Sequence, residues 1–392
     1  MPLYLHMINR TFWLSRIEEA WARRTIIWLS GIRRCGKTFL CRSIPDTEYF
    51  DCELPRTRSR MEDIESFFEG LRGRRVVLDE IHRLQDPAQL LKIAADHYKD
   101  VRIVATGSST LEASAKFKDT LTGRKAALWL TPMIMADMKD FENASLDHRL
   151  LHGGLPPFFL EERVPERDFQ EWMDSYWAKD IQELFRLERR ASFQKFLELL
   201  FVDSGGIFEA TRFASPCEVS RTTIANYLQA AEATYVAHII RPFSSHKPTE
   251  IVSAPKVYAF DTGFVCYFRG WDKLRAQDKG GLWEHFVLNE LMARLQSRAV
   301  HYWRTKQGRE IDFVLCPRNG QVHAIECKLS EQGFDHAAMS AFRRTYRNGR
   351  NFLVCRDVDQ PFDRRYGTLK VRVVGLDAFV AEVGPQSASP LT

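Results

Sequence analysis

The sequence predicts an α/β chain of several domains, beginning with a parallel sheet, and three observations carry that expectation. The apolar run Thr25-Ile26-Ile27-Trp28-Leu29-Ser30 leads into Gly31-Ile32-Arg33-Arg34-Cys35-Gly36-Lys37-Thr38, and Phe39-Leu40-Cys41-Arg42 continues as a helix start. A second apolar run, Val76-Val77-Leu78, ends in two adjacent carboxylates, Asp79 and Glu80. Far downstream, Arg309 to Leu315 alternates in hydropathy and Val322 to Lys328 reads as its hairpin partner. At 392 residues the chain exceeds what one core serves, so two or three domains are expected.

Composition narrows the classes. A hydrophobic fraction of 45% is ordinary for a globular protein. The formal net charge of +5 permits a nucleic-acid partner without requiring one. Eight cysteines are scattered with no Cys-x-x-Cys pair, which fits free thiols in a reducing cytoplasm better than disulfides or zinc. No apolar run reaches the length of a membrane span and no signal peptide is evident. The expectation is a soluble, cytoplasmic protein with no membrane partner.

Taken in order, Ser15 to Arg24 has helical spacing. Next, the run from Gly31 to Thr38 has the spacing of a phosphate-binding loop, Gly-x-x-x-x-Gly-Lys-[Ser/Thr]. Glycines let successive amides curl around one anion, and the helix that follows adds its positive end. Gly31, Arg34, Cys35, Gly36, Lys37, Thr38 and Phe39 are the expected nucleotide contacts, for ATP with magnesium. Lys37 supplies charge to the outer phosphates and the Thr38 hydroxyl is placed for the metal. Thr47 to Asp51 reads as a strand, Arg56 to Arg60 as a charged loop and Met61 to Leu71 as an amphipathic helix.

Asp79 and Glu80 close a buried strand where open α/β sheets place ligands. Asp79 would hold magnesium, directly or through water, and Glu80 would polarise the attacking water. Val101 to Ser109 is another strand, whose Thr106 or Ser108 serves either as a γ-phosphate sensor or as turn chemistry. Arg124 is a candidate arginine finger for a neighbouring subunit, or an ordinary surface arginine. One strand lies between the loop-bearing and acidic strands, the arrangement of the phosphate-loop ATPase branch containing AAA+ motors.

Gly153-Gly154 and Pro156-Pro157 end this core, and Trp172 to Leu200 reads as a continuous helical lid. Ser215 to Leu228 has helix-turn-helix texture, with Ser220 as N-cap and Ile224, Leu228 and Ala231 inward. Arg221, Thr222, Asn226 and Gln229 face outward, suited to phosphates and base edges, or the module packs on protein. Tyr235 to Pro242 would be the following strand or wing.

Gly280 to Leu291 reads as a helix carrying Glu284, and Val300 to Arg304 as a strand. Asp312 on one strand, with Glu326 and Lys328 two apart on the next, makes the active-site pattern of restriction-endonuclease-like folds. Asp312 and Glu326 would bind a second magnesium, Glu284 would complete the acidic cluster, and Lys328 would position water. The alternatives are a salt-bridged surface hairpin, or a nuclease-like fold kept for DNA binding or assembly. Arg343, Arg344, Tyr346, Arg347 and Arg350 form a basic cluster that either lines a phosphate backbone or is a solvated helix face. The expected segments are an ATPase core over 1–150, a lid over 151–200, a winged helix over 201–252, a nuclease-like domain over 253–384 and a tail over 385–392.

Over nearly its whole length the chain resembles prokaryotic AAA+ ATPases whose C-terminal half is a restriction-endonuclease-like domain of unknown function. The resemblance rests on the loop at Gly31 to Thr38, Leu78-Asp79-Glu80, Thr106-Gly107-Ser108-Ser109, Gly123-Arg124, and Tyr176 with Lys179-Asp180. It continues in Lys256-Val257-Tyr258, Asp261-Thr262-Gly263, Glu284, Glu310-Ile311-Asp312-Phe313 and Ile325-Glu326-Cys327-Lys328. Thr131-Pro132-Met133-Ile134-Met135-Ala136 departs from it, where relatives carry a more polar stretch followed by an acid. The resemblance implies nucleotide at subunit interfaces, a ring-shaped (hexameric) homo-oligomer and a DNA-acting motor remodelling forks or four-way junctions. An ATP-regulated endonuclease and a nucleotide-dependent assembly switch are the other readings.

Overall fold

Ile26–Gly31 (β1), Thr47–Asp51 (β2), Arg75–Asp79 (β3), Arg102–Thr106 (β4) and Lys125–Leu130 (β5) form a parallel sheet in the order β2-β3-β4-β1-β5. The computed structural model of the protein describes residues 8–107, 115–182, 189–243, 254–317 and 320–384. The expected strand, β4, does lie between loop-bearing β1 and acidic β3. Side chains alternate along β1, with Ile27 and Leu29 on one face and Ile26 and Trp28 on the other, so both faces are covered.

Several local expectations shift. The N-terminal helix runs earlier, over Thr11–Trp21. The stretch expected as a charged loop is the short helix Pro55–Arg60, opened by a proline whose fixed φ suits a first turn. The expected helix from Met61 to Leu71 shortens to Ile64–Glu69, because the Asp63 side chain caps it, accepting from the Ser66 amide at 3.0 Å. The lid is not one helix. Glu166–Tyr176 passes into a π-helical turn at Trp177–Ile181, and a separate helix follows at Arg190–Val202.

The remaining strands make a second sheet. They are Gly206–Ile207 (β6), Ala237–Pro242 (β7), Lys256–Ala259 (β8), Val300–Arg304 (β9), Glu310–Leu315 (β10), His323–Lys328 (β11), Asn351–Cys355 (β12), Phe362–Tyr366 (β13) and Leu369–Val374 (β14). Their order is β13-β14-β12-β11-β10-β9-β7-β8-β6. β7 pairs parallel with β9, Arg241 opposite His301, so the strands after helix Arg221–Ala233 continue into the C-terminal sheet. β10 was expected to be half-buried, yet Ile311 and Val314 face one core while Phe313 and Leu315 face another. Helix Ala276–Leu295 packs on one side and helix Ala337–Thr345 on the other, which leaves no wet face.

One apolar cluster runs through the molecule, from Ile27 and Leu29 through Trp172, Phe193 and Tyr227 to Trp283, Phe313 and Phe379. A buried ion pair is stitched into it. Asp261 caps helix Thr262–Phe268, accepts from the Gly154 amide at 2.7 Å, and lies 3.3 Å from Arg149. Arg149 also donates to the Met133 carbonyl at 2.8 Å. Gly153, at φ 88°, passes so close that a Cβ there would meet an Asp261 carboxylate oxygen at 2.0 Å. Asp261→Ala would strand the Arg149 charge, so a loss of about 3–5 kcal/mol is expected in urea unfolding. A midpoint equal to the wild type's would mean that water or another group satisfies Arg149.

Candidate nucleotide site and a C-terminal carboxylate pair

The loop between β1 and helix Lys37–Arg42 owes its shape to its glycines. Gly36 sits at φ 95° as the residue before the helix, and Gly31 adopts φ 147° where a Cβ would lie 2.5 Å from the Leu130 carbonyl. Lys37 Nζ donates to the carbonyls of Gly31 at 2.8 Å and Ile32 at 3.2 Å, arching over the loop. Beneath, Asp79 gathers three hydroxyls: Thr38 Oγ1 at 2.9 Å, the Tyr49 phenol at 2.6 Å, and Thr106 Oγ1. Burial, then Asp79 itself, pushes the Tyr49 phenol up, so it remains a donor. Thr106 also accepts from the Glu80 amide at 3.0 Å.

Glu80 stands apart from this hub. Its backbone is left-handed, φ 57° and ψ 45°, a conformation that costs a non-glycine residue about 1–3 kcal/mol. Its carboxylate lies 3.0 Å from His82 Nδ1. Burial would raise the Glu80 carboxyl, but His82, Lys37 and Arg33 bring it net below its ordinary value, so it is ionised at neutral pH. Gly31, Arg34, Gly36, Lys37, Thr38, Phe39 and Glu80 all line one cavity of 510 Å³, within the usual range for small-molecule sites. Phe39 stands 59% exposed at the rim, leaving an apolar ring face for a ligand. An amide-lined loop, a lysine, a hydroxyl on a carboxylate and a second carboxylate together fit a magnesium nucleotide.

Other placements differ from the expected contacts. The Cys35 side chain is buried behind the loop, and its carbonyl accepts from Arg10 at 2.8 Å. Arg10 in turn pairs with Asp137 at 2.7 Å, in the core. The apolar stretch at 131–136, which departs from the resemblance, is thus followed by an acid after all, and Asp137 also accepts from the Ile134 amide at 3.0 Å. Arg124 points away from the cavity and holds Asp96 with two nitrogens, at 2.8 and 3.2 Å. Ser108 lies outside the described residues.

The lid segment closes over the loop through contacts of which the sequence had singled out only Tyr176 and Asp180, without a role. Trp172 Nε1 donates to the Arg33 carbonyl at 3.2 Å, Arg33 pairs with Asp180 at 3.1 Å, and Arg34 approaches Asp168 and Glu171. Trp172 stacks on Tyr176 and on Phe260. The Tyr176 phenol meets Thr234 Oγ1 at 2.6 Å, and both residues line the cavity. Thr234 caps the end of helix Arg221–Ala233. That helix starts at Ser220, whose hydroxyl accepts from the Thr223 amide at 3.1 Å, and it buries Ile224, Leu228 and Ala231 as expected. Arg221, Thr222, Asn226 and Gln229 are exposed on its other side.

In the C-terminal half Asp312 and Glu326 do come together. Asp312 accepts from the Cys327 amide at 2.8 Å, and Lys328 Nζ lies 3.1 Å from Glu326 and 3.8 Å from Asp312. Burial and the nearby Glu284 charge push the Asp312 carboxyl up to about 6, and burial with Asp312 raises Glu326 well above the usual range. Glu284 does not join them as a third ligand. It accepts instead from Lys256 at 3.1 Å and from the Tyr258 phenol. Among the described residues no three carboxylates, histidines or cysteines gather at metal-ligating separations. Lys256 was noted in the sequence without a role. It is buried, and it also reaches Glu310 at 2.5 Å, so Lys256 and Lys328 together offset part of the charge of this acidic corner.

Three family profiles match successive parts of the chain: an AAA domain over 23–139, a domain of unknown function (DUF8612) over 143–275, and a domain of unknown function (DUF4143) over 279–374. The uncharacterized protein Rv2008c of Mycobacterium tuberculosis is 28% identical over 335 residues, covering 82% of this chain and 74% of its own. Among solved structures, the Walker-type ATPase PABY2304 of Pyrococcus abyssi is similar at 16% identity, covering 67% of this chain and 96% of its own, with a TM-score of 0.42. AMPPCP-bound DnaA of Aquifex aeolicus is similar at 12% identity over 56% and 85%, with a TM-score of 0.29. Superpositions this loose carry nothing further. No described helix is long and apolar enough to cross a membrane. Residues 23–139 thus match an AAA domain, an ATPase type of nucleotide-binding module, followed by two segments that match domains of unknown function.

Proposed function

We propose that this protein is an ATP-hydrolysing motor that acts on DNA as a ring-shaped homo-oligomer, hexameric by its resemblance, remodelling branched duplexes such as forks or four-way junctions. One observation carries the reading: Thr234 and Tyr176 line the cavity, and Thr234 ends the helix that exposes Arg221, Thr222 and Asn226. A change at the nucleotide thus reaches the polar helix through two packed side chains. In this reading helix Arg221–Ala233 and the β7 strand after it belong to a winged helix over 201–252, and 253–384 is a nuclease-like module kept for grip.

The loop amides and Lys37 hold the triphosphate, and Glu80 takes up the proton of the attacking water. Magnesium, when bound, supplies charge neutralisation at the phosphates, and Thr38 and Asp79 would hold it. Arg124 would reach a neighbouring copy's nucleotide.

The test is ATP hydrolysis by the full chain with and without a branched duplex. Turnover should rise severalfold on adding the duplex, and Lys37→Ala should lose nucleotide binding altogether. A wild-type protein that remains a single protomer and hydrolyses ATP at one rate regardless of DNA rejects the motor. A second reading, an ATP-regulated endonuclease, draws on the Lys328–Glu326 contact beside Asp312. It predicts cleavage that Asp312→Ala removes and Glu80→Gln leaves intact.

A further inference from the structure

The C-terminal module has a second recess, of 700 Å³, which the nucleotide chemistry does not use. It lies between helix Ala337–Thr345 with the loop after it, the start of β12, and the β13–β14 hairpin. Arg343, Arg344, Arg347, Arg350, Lys370 and Arg372 line it, against a single acid, Asp363. Six cations to one lining acid make this a strongly positive recess.

These cations are not in one state. Lys370 and Arg372 share Asp363, at 2.9 and 3.6 Å, and Arg372 and Arg350 also reach Glu382. Among the described residues Arg343 has no carboxylate partner. Its guanidinium donates to Asn351 Oδ1 at 2.5 Å and to the carbonyls of Tyr346 at 3.0 Å and Arg350 at 2.7 Å. Burial lowers it to about 10, so it keeps its charge at neutral pH, locked in position by neutral acceptors. Arg344 and Arg347 are exposed, and neither has an acid partner among the described residues.

A fixed, half-buried guanidinium flanked by two uncommitted arginines is arranged for anions of high charge density. None of the lining side chains is aromatic, so a base has no ring to stack on. That disfavours a nucleotide or a single strand and favours a ligand recognised by phosphates alone. We propose that this recess grips the sugar–phosphate backbone of duplex DNA, independently of sequence, as a second contact beside the exposed face of helix Arg221–Ala233. The inference rests on the DNA reading above and adds where the duplex is held.

The test measures duplex affinity of the full chain against salt concentration. Each lost phosphate contact lowers the slope of log K against log salt by about 0.9. Arg344→Ser with Arg347→Ser should therefore flatten the slope by about 2 and weaken binding equally for unrelated sequences. Both side chains are exposed and unpaired, so folding and basal ATP hydrolysis should be unchanged. Arg344→Lys with Arg347→Lys should restore most of the slope. A serine variant with wild-type affinity and slope overturns the recess while leaving the DNA motor standing. A wild-type chain that binds no duplex at about 50 mM salt overturns both. Competition by inorganic phosphate, with duplex ignored, would reassign the recess to a small anion and also overturn the proposal.

Discussion

Glu80→Gln is expected to bind ATP and assemble as wild type does while turning over on the order of a hundred- to ten-thousandfold more slowly, the usual weight of a positioned general base. The substitution keeps shape and volume. The loop, Lys37 and the Asp79 hub are untouched, because Glu80 contributes only its backbone amide to that hub, through Thr106. What disappears is a carboxylate kept ionised by His82, Lys37 and Arg33 and aimed at the cavity. The strained φ at Glu80 stays, since glutamine suffers it equally. Single-turnover hydrolysis alongside equilibrium ATP binding separates the two effects. Hydrolysis at the wild-type rate would move the base to another residue.

Arg124→Ala should leave nucleotide affinity intact and slow turnover about a thousandfold, the lower end of what an arginine finger supplies. Its present partner does not argue against the role. The Asp96 pair is exposed, and such pairs are worth about 0–1 kcal/mol, so a neighbouring subunit's phosphate can take the guanidinium at small cost. Because Arg124 lies off its own cavity, the defect should be complemented in trans. Mixing Arg124→Ala with Glu80→Gln protein should recover part of the lost hydrolysis, at interfaces that pair an intact Glu80 with an intact Arg124. Normal turnover by Arg124→Ala alone would point to a different arginine.

The parallel sheet and its strand order were legible because each strand is a short apolar run with chemistry at its end. Glycine spacing is a rigid geometric demand, so Gly31 and Gly36 also declared themselves. Arg10, Tyr49 and Trp172 did not, although each touches the loop or its aspartate. They arrive from distant positions, one per element, and a single side chain on a helix or strand leaves no periodic trace. The π-helical turn in the lid was missed for a related reason: its buried residues Trp177 and Ile181 still stand four apart, as on an ordinary helix. At the second carboxylate group, Asp312, Glu326 and Lys328 were readable from their strand positions. The engagement of Glu284 with Lys256 and Tyr258 was not, since it depends on how far β8 slides along the helix that carries Glu284.

The apolar cluster shared by both sheets bears on how such a protein can be divided or recombined. The two family segments that meet between 275 and 279 part at the head of helix Ala276–Leu295, yet Trp283, Phe286 and Leu291 of that helix belong to the same interior as Tyr258, Phe260 and Phe264. A fragment ending at the sequence boundary would carry a wide oily wound and would aggregate rather than stand alone. Exchanging one of the three segments for a foreign one would therefore require its neighbours' facing side chains to change with it.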